Sequence, residues 1–183
     1  MLINLLRDKP HATGAEIGVQ AGDTSFQLLR ALPDLETLYC VDPWQWYPDY
    51  EHDRCASDKT GGRWPDQDLL NEAFKTFMER LHVGHFEPRV AVLPMFSVDA
   101  VCEVPDDSLD FVFHDANHSY AYTRHDIPAW LPKVRVGGLI AGHDYRNPHN
   151  PAWGVTAAVD EIFGQVETGS DFTWWTWKTE VMA

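Results

Sequence analysis

Two short segments constrain this chain more than anything else in it. Glu16-Ile17-Gly18-Val19-Gln20-Ala21-Gly22 reads as a buried strand that runs into a glycine loop and then a helix. Leu38-Tyr39-Cys40-Val41-Asp42 reads as a second buried strand that ends on a carboxylate. Apolar strands without alternation belong to a parallel sheet covered on both faces. In such a sheet a nucleoside lies across the carboxyl ends of neighbouring strands, with an acidic side chain on its ribose. The pair predicts a binding site for a nucleoside-containing small molecule.

The rest of the chain keeps that rhythm. Strands are expected at residues 14–19, 37–41, 89–93, 109–114 and 134–141. Met1 to Leu6 reads as a short amphipathic lead-in helix, too short for a signal segment. Asp23-Thr24-Ser25 offers an N-cap for a helix carried by Phe26, Leu28, Leu29 and Leu32 up to Pro33. Another helix is expected at 120–131, interrupted by Pro128. The aromatic alternation Phe172-Thr173-Trp174-Trp175-Thr176-Trp177-Lys178 reads as a strand, and residues 164–169 leave no room for a crossover helix before it. An antiparallel hairpin over 165–178, at the sheet edge, follows. Residues 43–66 break the rhythm with Trp44, Trp46, Tyr47, Tyr50 and Trp64 among Asp, Pro and Gly. A long loop at the carboxyl end of a strand is expected to cover a substrate.

The 183 residues suit a single domain, 1–183. A formal net charge of −14 excludes the basic footprint that nucleic acid requires and disfavours anionic membranes. No apolar run is long enough to span a bilayer. Cys40, Cys55 and Cys102 share no metal-like spacing, and with no CxxC they do not form a disulfide framework. The expectation is a cytoplasmic protein with a small-molecule partner. The tryptophans of the tail and loop are candidate anchors of a homodimer.

The glycine loop lacks GxGxxG spacing and a Walker lysine, so the nucleoside's tail is not expected to be a phosphate. Gly18 and Gly22 let the chain pass close to that tail, beside Gln20, Thr24 and Ser25. Glu16 can meet a cationic end, and Asp42 can accept from ribose hydroxyls. Met95, Phe96 and Ser97 follow the third strand, where a purine ring would lie. The fourth strand ends in His114-Asp115-Ala116-Asn117-His118 and the fifth in Gly142-His143-Asp144. Both clusters emerge at the carboxyl edge. Asp115, His118, His143 and Asp144 can supply a general base or ligate a divalent ion.

Several segments, in order, resemble the class I S-adenosylmethionine-dependent methyltransferases, and within them the small single-domain group called methyltransferase domain family 24. They are Gly14-Ala15-Glu16-Ile17-Gly18-Val19, Val41-Asp42-Pro43-Trp44, residues 109–120, Gly137-Gly138-Leu139-Ile140-Ala141-Gly142-His143-Asp144-Tyr145 and Gly154-Val155-Thr156-Ala157-Ala158-Val159-Asp160. The resemblance implies an α/β, Rossmann-like, doubly wound sheet of seven strands, mostly parallel with an antiparallel strand near the C-terminus. It implies S-adenosylmethionine (SAM) as methyl donor, with Glu16, Gly18 and Gly22 at its methionine end, Asp42 on ribose and Trp44 nearby. Met95, Phe96 and Ser97 would border adenine, and Asp115 would lie beside the reactive end. Some related O-methyltransferases hold a divalent metal with acids after strands four and five. Asp115 and Asp144 stand at those places, and magnesium is the implied ion, but His143 replaces the first of the two adjacent acids usual there. The expected activity is methylation of a sugar or another hydroxyl-bearing metabolite, with His118 or His143 as base and Asp144 orienting it. A metal-dependent hydrolase on the His/Asp clusters and a non-catalytic adenosyl-binding domain are the alternatives.

Overall fold

The computed structural model describes residues 1–7, 9, 12–46, 67–151 and 153–182. The elements run α1 (Leu2–Leu6), β1 (Thr13–Ile17), α2 (Asp23–Ala31), β2 (Thr37–Val41), α3 (Gln67–Val83), β3 (Val90–Leu93), α4 (Ser97–Ala100), β4 (Leu109–His114), α5 (Tyr120–Trp130), β5 (Val134–Gly142), α6 (Val155–Phe163), β6 (Glu167–Thr168) and β7 (Trp174–Trp177). The strands form one seven-stranded sheet in the order β3-β2-β1-β4-β5-β7-β6. The first five are parallel, and β7 runs antiparallel to both β5 and β6. This is the doubly wound, mostly parallel seven-stranded sheet expected, with its antiparallel strand near the C-terminus. The order reverses between β1 and β4, so their carboxyl ends frame a crevice.

Apolar side chains fill both faces of the sheet. Phe26, Leu28, Leu38, Cys40 and Phe77 pack on one face, and Val112, Ile127, Trp130, Ile140 and Val159 on the other. Cys40 is core, as its apolar strand suggested. Arg89 closes the last turn of α2, donating from Nε to Leu35 O (2.7 Å), from Nη1 to Leu29 O (2.9 Å) and from Nη2 to Leu32 O (2.6 Å). Those carbonyls lie at the helix end, where they lack intrahelical donors or lie just past it, and a guanidinium fork suits them.

Four expectations need correction. β1 ends at Ile17 rather than residue 19, because Gly18 turns the chain at φ +93°. The N-cap of α2 is Gly22 in the left-handed region, with no side-chain cap; Asp23 begins the helix and the Ser25 hydroxyl is drawn to Glu16 instead. Arg89 belongs to the turn before β3, its side chain engaged with α2. The tail tryptophans are not free anchors: β7 lies inside the sheet, Trp174 is buried, and Trp175 and Trp177 pack against the core. Helices α3 and α6 were not read from the sequence at all. Of the aromatic loop, only residues 43–46 fall within the described residues, with Trp46 exposed. Tyr47, Tyr50, Cys55 and Trp64 lie outside them.

Candidate functional site

The glycine loop and the β2 end are knotted together by one carboxylate. Asp42 Oδ2 accepts from the backbone N–H groups of Val19 and Gln20, both at 2.9 Å, and Oδ1 accepts from Trp44 N at 2.7 Å. Trp44 Nε1 returns a bond to Gln20 O at 2.9 Å. These bonds hold Gln20 (φ +48°) and Trp44 (φ +44°) in the left-handed region, which non-glycine residues seldom occupy. The Trp44 ring is packed on Phe74 and Phe77, with centroids at 4.7 and 5.5 Å. Burial raises the Asp42 pKa, and the three N–H bonds oppose that rise. A carboxylate has about four acceptor positions, so three amides leave one on Oδ1 for a ligand hydroxyl.

Gly18 lies against the β4–α5 turn. A Cβ there would stand 2.2 Å from Asp115 O and 2.5 Å from Ala116 Cα. Glu16, two residues earlier, is 2% exposed, and its carboxyl accepts from Ser25 Oγ. Burial pushes its pKa up to about 8, with the neighbouring Asp115, Asp42 and Asp23 adding to the rise and Ser25 opposing it. Above the ordinary value of 4.5 the unfolded chain has lost this proton, while the folded chain keeps it to about 8. The folded state therefore binds the extra proton, and stability falls as pH rises through that window, at up to about 1.4 kcal/mol per unit. Glu16→Gln, which cannot ionise, is expected to flatten that slope in urea unfolding followed from pH 5 to 8. An unchanged slope would mean that Glu16 is ionised in the folded state.

After β3, Met95 and Phe96 are half-buried. Ser97 opens α4, where its Oγ accepts from Trp130 Nε1 at 2.8 Å. The buried Asp126 also bonds Ser97, and burial lifts that carboxyl to about 6. An uncharged groove of 440 Å³, lined by Pro43, Trp44, Gln45, Gln67, Phe74 and Pro94 among others, lies at the ends of β2 and β3. Thr24 is half-buried in the first turn of α2.

The β4 and β5 ends meet as their sequence positions suggested. His118 Nε2 lies 2.9 Å from Asp144 Oδ2 and 3.3 Å from Asp115 Oδ1. His143 Nδ1 lies 3.2 Å from the same Asp144 oxygen, and Asn147 Nδ2 donates to Asp144 Oδ1. Asp144 sits at φ +62°, a conformation that aims its side chain back at this cluster. Burial works against the charge of His118, but the two carboxylates win and raise its pKa to about 9. Asp144 answers in the other direction: burial would raise it, and the bonds from His118, His143 and Asn147 bring it well below the carboxylate range. The bond to Asp144 raises His143 as well.

Two residues of this cluster were missed by sequence reasoning. Asn147 follows Asp144 by three residues, an Asx position that turn chemistry could have flagged. Trp153 stacks on the His118 ring with centroids at 4.1 Å and planes 15° apart, and carried no sequence signal. Behind the cluster, His114 Nε2, Asn117 Nδ2 and Trp174 Nε1 are buried without a hydrogen-bond partner and line one narrow cavity with Asp115 and His118. Burial keeps His114 neutral, pulling its pKa down to about 3. His125 and His149 are exposed, and His149 N donates to Asn147 Oδ1 at 2.9 Å on the outer side of the cluster.

Residues 15–145 match the methyltransferase domain family. No curated protein matches the chain. Among solved structures it is similar to the O-methyltransferase NovP, at 24% identity over 93% of this chain and 73% of that one, with a TM-score of 0.66. It is similar to an O-methyltransferase from Bacillus cereus in complex with SAH, at 15% identity over 97% of this chain and 79% of that one, with a TM-score of 0.64. The third is the O-methyltransferase TomG from Streptomyces achromogenes, in complex with SAM, at 17% identity over 97% and 78% of the two chains and a TM-score of 0.63. Likeness at these identities establishes the shared fold.

Proposed function

The chain belongs to the methyltransferase domain family and is a SAM-dependent methyltransferase; we propose that it methylates a hydroxyl oxygen of a small molecule, a sugar or another hydroxyl-bearing metabolite. The observation that carries this reading is His118 Nε2 held between Asp115 and Asp144 at the carboxyl ends of β4 and β5. The donor would lie across the loop that Asp42 organises, with its ribose on the free position of Asp42 Oδ1. Gly18 and Gly22, pressed against Asp115 and against the Phe26 and Phe77 rings where no side chain fits, would shape the loop along its methionine end, and Glu16 would face the ammonium group, whose charge offsets the burial cost of a carboxylate there. Met95 and Phe96 would border adenine, while the Ser97 hydroxyl is already engaged with Trp130.

Methyl transfer is an in-line displacement. A C–O bond forms as the S–CH₃ bond breaks, and the hydroxyl proton goes to a base. Alignment supplies much of the acceleration and the base supplies the rest. His118 is that base, with Asp144 orienting it and His143 and Asn147 holding Asp144. At neutral pH the two carboxylates keep His118 mostly protonated. Asp115 would stand beside the donor's sulfonium, whose positive charge would lower the His118 pKa and so ready it to take a proton.

Asp115, His118 and Asp144 also fit a divalent cation, since one donor atom from each lies within 4.8 Å of the others. These three would hold it, and a bound ion would acidify the acceptor hydroxyl. A His118 that ligates through Nε2, the nitrogen now turned to the two carboxylates, would keep only Nδ1 to take a proton. The hydrolase alternative loses its support with the family match.

Calorimetric titration with SAM and SAH, with and without magnesium and a chelator, tests the donor site. Micromolar binding that is lost in Asp42→Ala is expected, because that change leaves three N–H groups without their acceptor and releases both loops. A gain with magnesium would move His118 from base to ligand. Wild-type protein that binds neither compound would sink the donor assignment.

A further inference from the structure

We infer that Trp153 is a positioning residue, whose indole face holds the His118 ring in the one orientation that presents Nε2 to Asp115 and Asp144. This rests on the base role proposed for His118 and adds the part of the chain that makes it workable. The terminal torsion of a histidine is soft and broad, so its rotamer alone does not aim a ring nitrogen. His118 nevertheless reaches two carboxylates with one atom, at 2.9 and 3.3 Å. The near-parallel stack at 4.1 Å and 15° explains how. Rotation about that torsion would swing an edge of the imidazole into the indole, so the stack fixes the plane of the ring from which Nε2 reaches both carboxylates. The indole also takes one face of the imidazole from water. A charged imidazole over an indole face is attracted to it besides.

The indole is itself anchored at two points. Trp153 N donates to Asn150 O at 3.1 Å within its own loop. Gly154 N donates to His118 O at 2.8 Å, tying the next residue to the backbone of the residue being held. Gly154 lies so close to the start of α5 that a Cβ would stand 2.1 Å from Tyr120 N. The loop after β5 is thus pressed onto the β4–α5 turn. It delivers Asp144, Asn147 and Trp153 to one imidazole.

The test needs no acceptor. Protein carrying ¹⁵N-labelled histidine should show a His118 Nε2–H proton protected from solvent. In Trp153→Ala that proton should exchange about tenfold faster, the loss of one aromatic stack. Trp153→Phe, which keeps an aromatic face, should return exchange to near the wild-type rate. Trp153→Leu fills volume without a π-face and should behave like Ala; it carries the test if the Ala variant does not fold. SAH affinity, measured on the same samples, should stay within about twofold in every variant, since Trp153 touches no proposed donor contact. Wild-type exchange in both Ala and Leu would show that the carboxylates alone hold the ring and would overturn the inference. So would failure of Phe to rescue. Absence of SAH binding by the wild type would count against the donor site, and the imidazole proton would still decide the role of Trp153.

Discussion

Gly18→Ala is expected to abolish SAH binding and to lower the unfolding free energy by about 3 kcal/mol or more. Two costs combine at this position. The first is conformational: φ +93° is open to glycine and closed to alanine without strain. The second is steric. The new methyl would meet Asp115 O at 2.2 Å and Ala116 Cα at 2.5 Å, and both are backbone atoms that cannot rotate away. Relief requires the β1–α2 loop and the β4–α5 turn to separate, although Asp115 N donates to Ile17 O at 2.8 Å across that contact. Separation would move Asp115 and the loop amides held by Asp42 together, so binding should fail along with stability. Gly137→Ala provides the comparison. It has φ +80° but open space around its Cβ, so it should cost only about 1 kcal/mol of backbone strain and leave SAH binding intact. Urea unfolding and calorimetry on both variants measure the two costs separately. A Gly18→Ala protein within 1 kcal/mol of wild type that still binds SAH would show that the two loops can part without harm.

The same close approach explains what could be read from the sequence. β2 and β4 are found at 37–41 and 109–114, as their apolar runs indicated, because a strand buried on both faces announces itself without reference to partners. The end of β1 was misread because Val19 continues the apolar run after Gly18 has already turned the chain. Helix α3 escaped notice for the opposite reason. Phe74, Phe77 and Leu81 mark its inner side, but Leu69, Met78 and Val83 are exposed and blur the stripe. The tail was legible as an antiparallel hairpin at the sheet edge, which β6 and β7 form, but alternation did not reveal that β7 would be the inner strand with its tryptophans packed against the core.

Within the site, the legible contacts are those that strand order enforces. Two clusters at the carboxyl ends of adjacent parallel strands must meet, and His118, Asp115 and Asp144 do. The illegible ones depend on how a loop returns. Trp153 reaches His118 through a path with positive φ at Asp144 and Arg146, which residue type alone does not predict. Asp42 shows a third case. Its acidity pointed to a ligand hydroxyl, whereas three of its acceptor positions serve its own backbone. The residue that would hold the donor first builds the loop that receives it.

His118→Ala should lower the rate of SAH formation on a hydroxyl acceptor by about 10²–10⁴-fold, with SAH affinity nearly unchanged. The split follows from position, since His118 contacts the two carboxylates and Trp153, and of these only Asp115 would lie beside the donor, at the sulfonium charge that SAH lacks. Its pH dependence gives a sharper test. A base whose pKa is raised to about 9 is active only when deprotonated, so the rate should climb about tenfold per pH unit from 6 toward the pKa in the donor complex and then level off. Because the sulfonium lowers that pKa, the plateau at saturating SAM should begin below pH 9, and kcat/KM for SAM should level off at higher pH than kcat. Asp144→Asn should move both plateaus toward lower pH, since it removes one of the charges that stabilise the imidazolium, while slowing the reaction through loss of orientation. Linkage to folding has the same origin. The folded state holds the His118 proton that the unfolded chain loses near 6.5, so its stabilising contribution is complete below 6.5 and disappears as pH rises toward 9. The site gains rate over the same window in which it loses stability, and His118→Ala should remove the rate trend together with its own share of the stability trend, leaving the share that Glu16 sets below about pH 8. A rate profile that keeps its slope in His118→Ala would assign the base to another group, with His143 the next to replace.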